Sequence, residues 1–363
     1  MVPIEGDCDP AFQGVLEAFA RNWELFDEVG ASVSVTVDGR PVVDLWGGWS
    51  DAARTRPWER DTIVVVASTT KGLTGLCGNM LIDRGQLDPR APVADYWPEF
   101  AQNGKAGVLV EHLFDHRAGL PNMPRGVEPE DWDGVVGALA SMRPRWEPGT
   151  AHSYHAVTYG YLIGEVVRRI TGRTIGTFLR QEVCEPLDVD AWIGVPPELD
   201  DRCAEVCNQS GGFDSVGLRR YESPGGNGHT NGRSLARIFG AMACGGEVDG
   251  VRLISEATLD EAVAHWVTGP WIGFDESLME PTGPIPRSTF GLRFARGFMR
   301  GSEMSWMGPH DRAFGSAGSG GSIAAADPES RVGFGYAQNS HLGPLAGIDS
   351  RPGRLLQALY AAL

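Results

Sequence analysis

The feature that most constrains what this chain can fold into is a split in its patterning: strand-like runs lie at both ends, and a helix-rich stretch separates them. Near the start, ASVSVTVDGRPVVDLWGGWSD alternates apolar and polar residues on either side of Asp38-Gly39. That is the period of a half-buried strand, and Asp-Gly suits a two-residue hairpin turn. Near the end, FGLRFARGFMR, GSGGSIAAADPES and RVGFGYAQNS return to strand character, and a last helix is expected over 351–363. Between them, 156–171, 174–184 and 233–244 carry apolar residues at helical spacing. The pattern predicts an α/β (α+β) fold in which an antiparallel sheet flanked by helices is built from both termini and a mostly helical domain is inserted. The expected division is 1–85 and 290–363 for the sheet domain and 86–289 for the insertion, with a cleft between them as the expected place for a functional site. Residues 268–289 are rich in Pro and Gly and are expected to form a long surface loop.

At VVASTTKGLTGL a buried strand-like run meets a helix whose expected stop is Gly85. Ser68 stands near the start of that helix, with Lys71 three residues on. Residues three apart on a helix share a face, so the lysine amine comes within reach of the serine hydroxyl. A serine hydroxyl is a weak nucleophile and needs an adjacent base. A lysine serves as that base when burial or a second positive group leaves its amine neutral. A serine in the first helical turn also sees unbonded backbone N–H groups and the positive end of the helix dipole, both suited to an oxyanion. Serine and threonine cap helices often, and S-x-x-K arises by chance. Lysine is scarce here, however: of 31 basic residues only Lys71 and Lys105 are lysines.

Tyr154 follows a Pro-Gly turn and precedes a helix in PGTAHSYHAVTYGYLIGEVVRRITG. From there a phenol can enter a cleft and pass a proton between nucleophile and leaving group; the alternative is a buried tyrosine with one hydrogen bond. Tyr159 and Tyr161 fall on the following helix and are expected in the core. The run Phe314 to Ser322, FGSAGSGGS, is rich in glycine, which permits close backbone approach to a ligand. It offers the Ser319 N–H as a second oxyanion donor; the alternative is a flexible loop or bulged strand.

In order and spacing these segments resemble the serine β-lactamase-like, penicillin-binding superfamily, closest to family VIII carboxylesterases and sharing the class C β-lactamase fold. ASTTKGLTGL resembles the nucleophile segment and VEHLFDHRAGLP the loop that follows it. WEPGTAHSYHAVTYGYLIGEVVRRITGR resembles the tyrosine segment, and FGSAGSGGSIAAADPESRVGFGYAQN the third motif with its strand, so the likeness spans nearly the whole chain. S-x-x-K is a motif of related enzymes. The resemblance implies that Ser68 is acylated, that Lys71 is the general base, and that Tyr154 is its proton-relay partner. It makes the backbone N–H groups of Ser68 and Ser319 the oxyanion hole, and it implies no metal or organic cofactor. Two positions depart from the β-lactamase pattern: Tyr-x-Asn becomes Tyr154-His155-Ala156, and Lys-Thr-Gly becomes Ser316-Ala317-Gly318. The lysine replaced by Ser316 helps bind a substrate carboxylate in those enzymes. A small neutral carboxylic ester is therefore the expected substrate. Ser316, Ala317, Gly318, His155 and Trp271, the last as a lid residue, are its expected contacts, and His155 or His310 is a candidate replacement for the lost polar group. Acyl transfer, amide or D-peptide hydrolysis, weak β-lactamase activity and ligand binding without turnover are the alternatives on the same scaffold.

Charge narrows the partners. A net charge of −16 repels phosphate backbones and anionic lipid, which argues against nucleic acid and membranes. No window reaches the roughly 18–20 apolar residues of a membrane span. The start MVPIEGDCDP has neither a basic run nor an apolar stretch of signal length, and the six cysteines are scattered, so a cytoplasmic protein with free thiols is expected. The partner is then a small-molecule ester or amide, and a homo-oligomer is compatible with the sequence. Cys203 and Cys207 make only a weak metal pair, and His112 and His116 lack the glutamate of H-E-x-x-H. There is no G-x-S-x-G elbow, P-loop or dinucleotide fingerprint.

Overall fold

Alternation of large and small residues along the strands builds the sheet and decides what covers each face. The structure is a computed structural model and describes residues 2–207, 216–267, 271–275, 280–285, 291–302, 305–341 and 350–363. The main sheet contains β1 (Ile4–Cys8), β2 (Gly30–Val37), β3 (Arg40–Gly48), β4 (Arg293–Phe294), β5 (Met299–Arg300), β6 (Phe314–Ala317), β7 (Ile323–Asp327) and β8 (Val332–Gln338). All neighbours are antiparallel, in the order β1-β3-β2-β8-β7-β6-β5-β4, so N-terminal β2 pairs directly with C-terminal β8. The β2–β3 hairpin turns at Asp38 and Gly39 with φ of 51° and 75°, as a type I′ turn requires.

The longer helices are α1 (Gln13–Leu25), α2 (Thr70–Asp83), α3 (Trp132–Ser141), α4 (Thr158–Thr171), α5 (Gly232–Ala243), α6 (Glu256–Ala264) and α7 (Arg351–Tyr360). Ala31, Val33 and Val35 of β2 and Phe334 and Tyr336 of β8 share one core with Val15 and Phe19 of α1 and Leu355, Leu356 and Leu359 of α7. The intervening strand positions, Ser32, Ser34, Thr36, Gly333 and Gly335, are small. They admit α5 at close range on the other face, where Gly232 N–H donates to Ser32 Oγ at 3.0 Å. α5 lies inside the stretch expected to be inserted, yet it covers the sheet.

α2 is buried along almost its whole length. Leu73, Leu76, Cys77, Met80 and Leu81 join Phe114, Ile163, Val166, Phe178 and Phe239 in a second core, so this helix links the sheet layer to the helices of the middle region. Tyr159 and Tyr161 are buried in that core. The long surface loop expected over 268–289 lies partly outside the described residues, and its described parts are strands. Trp271–Asp275 and Glu280–Ile285 pair as an antiparallel ribbon, shifted between Pro281 and Gly283. Both strands of a two-stranded ribbon are edge strands, which is where prolines are tolerated. His112 belongs to a short helix, Val110–Phe114, while His116 follows it with φ 67°, so their spacing of four is not a helical face. No helix among the described residues is long and apolar enough to cross a membrane.

Candidate active site

Ser68 lies in one 3₁₀ turn, Ala67–Thr69, between the short strand Val64–Val65 and α2. It thus stands ahead of the α-helix rather than within its first turn. Ala67 has φ 43°, a left-handed backbone that costs a residue with a β-carbon about 1–2 kcal/mol. Several bonds hold the strained turn. Thr70 Oγ1 donates to Ala67 O at 2.6 Å, Ser322 Oγ to Val66 O at 2.7 Å, and Val66 N–H to Gly228 O at 2.8 Å. Ala67 and Thr69 are buried while Ser68 keeps partial exposure.

Lys71, only 3 % exposed, enters from the first turn of α2. Its Nζ lies 3.1 Å from Ser68 Oγ and donates to Ala156 O and Gly225 O, both at 2.6 Å. Burial lowers its pKa to about 7, and no carboxylate among the described residues pairs with it. Near neutral pH, roughly half the amines are then uncharged. A neutral amine carries two N–H donors, which match the two carbonyls, and its lone pair is left for the Ser68 hydroxyl. Ala156 stands where the β-lactamase pattern has asparagine, and here the backbone carbonyl meets the lysine instead. Sequence reasoning missed both carbonyls. The Pro224-Gly225-Gly226 turn is the one trace of Gly225 in the residue pattern.

Tyr154 is partly buried, with its ring 4.7 Å from Lys71 Nζ and stacked on Phe294 at 5.8 Å and 10°. Burial pushes the phenol pKa up to about 12, while its hydrogen bond to the Ser68 side chain pulls the other way. The structure therefore brings Ser68, Lys71 and Tyr154 together. At neutral pH the phenol keeps its proton, and the amine is the group able to accept one.

The two histidines do not join them. His155 is 1 % exposed; its Nδ1 donates to Ser153 O at 2.6 Å and its Nε2 accepts from Leu120 N–H at 3.0 Å. Both ring nitrogens are engaged by backbone, and burial holds its pKa down at about 4. The expectation that His155 contacts substrate is corrected: it fastens the loop at Leu120 to the tyrosine segment. His116 Nδ1 accepts from His155 N–H at 3.1 Å and extends that tie. His310 bonds through Nδ1 to Asp327 Oδ2 at 2.7 Å. Asp327 closes β7 at the end away from Ile323, which pairs with Ala317, so His310 is remote from Ser316.

Ser316 is 1 % exposed and donates from Oγ to Ser68 O at 3.0 Å. Its hydroxyl points at the nucleophile turn, and Ala317 is buried beside it, so neither side chain meets the cleft as a substrate contact. The backbone does. A Cβ on Gly318 would lie 2.3 Å from Val66 O and 3.1 Å from Ser68 N, which only glycine avoids. Thr69 Oγ1 and Ser322 Oγ, 3.1 Å apart, clamp the same junction. The N–H groups of Ser68 and Ser319 donate to no backbone carbonyl among the described residues, and Ser319 is exposed. Trp271 heads a strand whose Ile272 N–H donates to His152 O at 2.9 Å, two residues from Tyr154; the Trp271 side chain lies outside the described residues. A cavity of about 960 Å³, lined by Glu111, Asp115, Arg117, Glu261 and Arg296, shares Phe294 with the site but none of its three reactive groups.

Comparisons with known proteins show the family. The Beta-lactamase family model matches residues 19–358. The chain is similar to Esterase/beta-lactamase LipL of Mycobacterium tuberculosis, 35% identical over 383 residues that cover 95% of this chain and 85% of the relative. It is similar to a family VIII carboxylesterase of known crystal structure, at 37% identity and a TM-score of 0.88 over 99% of this chain and 100% of that one. It is also similar to a penicillin-binding protein homolog from Caulobacter crescentus, at 38% identity and a TM-score of 0.87 with the same coverage. The chain therefore belongs to the Beta-lactamase family and is a serine hydrolase of the β-lactamase fold.

Proposed function

We propose that the chain is a carboxylesterase that cleaves small neutral esters through an acyl-enzyme on Ser68. The observation that carries the reading is the Lys71 amine, buried and 3.1 Å from Ser68 Oγ, with two carbonyls at 2.6 Å to take its N–H groups. In its neutral form it takes the Ser68 proton as Oγ attacks the ester carbonyl carbon. The charge that develops on the carbonyl oxygen is met by the Ser68 and Ser319 N–H groups. Tyr154 gives its proton to the departing alkoxide and is reprotonated by the Lys71 ammonium. The C–O bond breaks, the alcohol leaves, and the acyl group stays on Oγ. Water then loses a proton to Lys71 by way of Tyr154 and attacks the acyl carbon. Ser68 departs with the returned proton, and the carboxylic acid is released.

Ser316 supports a neutral substrate. Where a lysine would hold a carboxylate, a buried hydroxyl is already bonded to Ser68 O. The esterase names of LipL and of the family VIII carboxylesterase favour the same substrate class. Ser68 and Lys71 fall within residues 1–85 and Tyr154 within residues 86–289, which supports a cleft between a sheet domain and a helix-rich insertion.

Short p-nitrophenyl esters should be hydrolysed, and a phosphonate probe should label the Ser68 peptide in a mass spectrum. Equal turnover by Ser68→Ala, or labelling elsewhere, would overturn the reading. Faster acylation by an anionic β-lactam than by these esters would overturn the choice of substrate.

A further inference from the structure

The loop that carries the Ser319 N–H is held from behind by a buried cation. Gly320 O accepts from Gln338 Nε2 at 2.7 Å and from the Arg351 guanidinium. The same peptide unit bears the Gly321 N–H, which donates to Gly318 O at 3.1 Å. Gly318 O in turn belongs to the peptide unit whose N–H is that of Ser319. Two peptide dipoles therefore stand in line between a guanidinium and the oxyanion position. Donors and acceptors in such a chain polarise one another, and a charged donor at one end strengthens the donor at the other.

The surroundings fix this line. Gly320 has φ 82°, and a Cβ there would sit 2.9 Å from His341 Cα, so the backbone orientation depends on glycine. Arg351 is 4 % exposed; its Nη1 meets Glu28 Oε1 at 2.9 Å and its Nη2 also donates to Ser340 O at 2.7 Å. Glu28 is buried and accepts from the Tyr336 hydroxyl. A buried ion pair is a weak source of stability, because apolar packing of the same volume does as well or better. Its place directly behind the loop gives it another use.

We propose that Arg351, assisted by Gln338, is a positioning residue that orients and polarises the Ser319 N–H for the developing oxyanion. This rests on the Ser68 acyl-enzyme reading.

The test compares the full-length wild type with Glu28→Gln, the double variant Glu28→Gln/Arg351→Met, and Gln338→Met. The double variant removes the ion pair whole and leaves no lone buried carboxylate; Gln338→Met changes no charge. Each is scored by melting temperature, by kcat and KM on a p-nitrophenyl ester, and by the rate of Ser68 phosphonylation. Loss of a whole oxyanion donor costs about 10²–10³-fold in kcat, so weakening one should cost about 30-fold in the double variant and about fivefold in Gln338→Met, with KM unchanged. Glu28→Gln, which keeps the Arg351 donor, should stay within about threefold of the wild type. A double variant that folds and is phosphonylated at the wild-type rate overturns the proposal and leaves the acyl-enzyme intact. A raised KM at constant kcat does the same. If the double variant does not fold, an unchanged kcat in Gln338→Met overturns it. A wild type that is not labelled at Ser68 removes the acyl-enzyme reading itself, and this proposal with it.

Discussion

At the Ser68 end of the site the groups that meet are side chains, whereas at the Ser316–Ser322 end the Ser316 and Ser322 hydroxyls turn inward onto backbone carbonyls. Lys71 and Tyr154 reach Ser68 with an amine and a phenol. Ser316 and Ser322 reach the other way, to Ser68 O and Val66 O. The first end therefore depends on residue type, and the second on a chain path that requires glycine at positions 318 and 320. That explains how the third-motif lysine of related enzymes can be a serine here while the rest of the constellation stays in place. On the proposed mechanism the loss touches what the substrate must carry and leaves the oxyanion donors in place.

The sharpest way to break this comparison is Lys71→Met, which keeps the volume and removes the base. It should cut kcat/KM by about 10³–10⁴-fold. In the wild type, kcat/KM should climb with pH through about 7, where the amine loses its proton. Stability should follow the same group. Lys71 goes from 10.5 to about 7 on burial, so the folded state binds fewer protons than the unfolded chain between those values. Its contribution is fully present above the unfolded pKa and is lost as pH falls from there to about 7. Urea melts at about pH 7 and about pH 10 should show the wild type gaining stability relative to Lys71→Met as pH rises. A flat activity profile across neutral pH would remove the lysine as base.

Tyr154→Phe keeps the stack on Phe294 and the ring beside Lys71, and removes one hydroxyl. Alkyl esters, whose alkoxides need a proton to leave, should lose about 10²-fold in kcat. p-Nitrophenyl esters, which release a stable anion, should lose less. Equal losses for both would make the phenol a packing element and shift the proton relay elsewhere.

The same division sets what is legible in the sequence. Ser68, Lys71 and Tyr154 stand out because their chemistry resides in residue type, and a spacing of three on a helix already places two of them together. Ala156 O and Gly225 O hold the lysine at 2.6 Å, but a carbonyl belongs to every residue and leaves no signature. His155 misleads for the opposite reason: its residue type suggests chemistry, and only the tertiary bonds to Leu120 and Ser153 show that both nitrogens are engaged. The sheet is legible because large and small residues alternate along β2 and β8. The position of α5 on the sheet is not, because chain order alone does not say which face a helix covers.

Gly318→Ala tests the backbone end. The new methyl would meet Val66 O at 2.3 Å, and both are main-chain atoms or fixed to them, so the loop must move away from Ser68. The N–H of Ser319 moves with it, and kcat should drop by about 10²-fold while KM changes little. Phosphonylation of Ser68 should slow in proportion. Normal labelling with slow turnover would instead place the damage in deacylation.

Ser316→Ala completes the comparison as its smallest effect. Ser316 and Lys71 are both buried, and both bond to Ser68, one to its carbonyl and one to its hydroxyl. Burial and proximity therefore do not separate them; only the atom that they touch does. Removing the Ser316 hydroxyl leaves Ser68 O short of one donor, which should cost about 1 kcal/mol of stability in a denaturant melt. Ester turnover should remain within about threefold of the wild type, because no proton or developing charge passes through that hydroxyl. A loss near that of Lys71→Met would mean that Ser316 takes part in the chemistry, and the two ends of the site would no longer differ in kind.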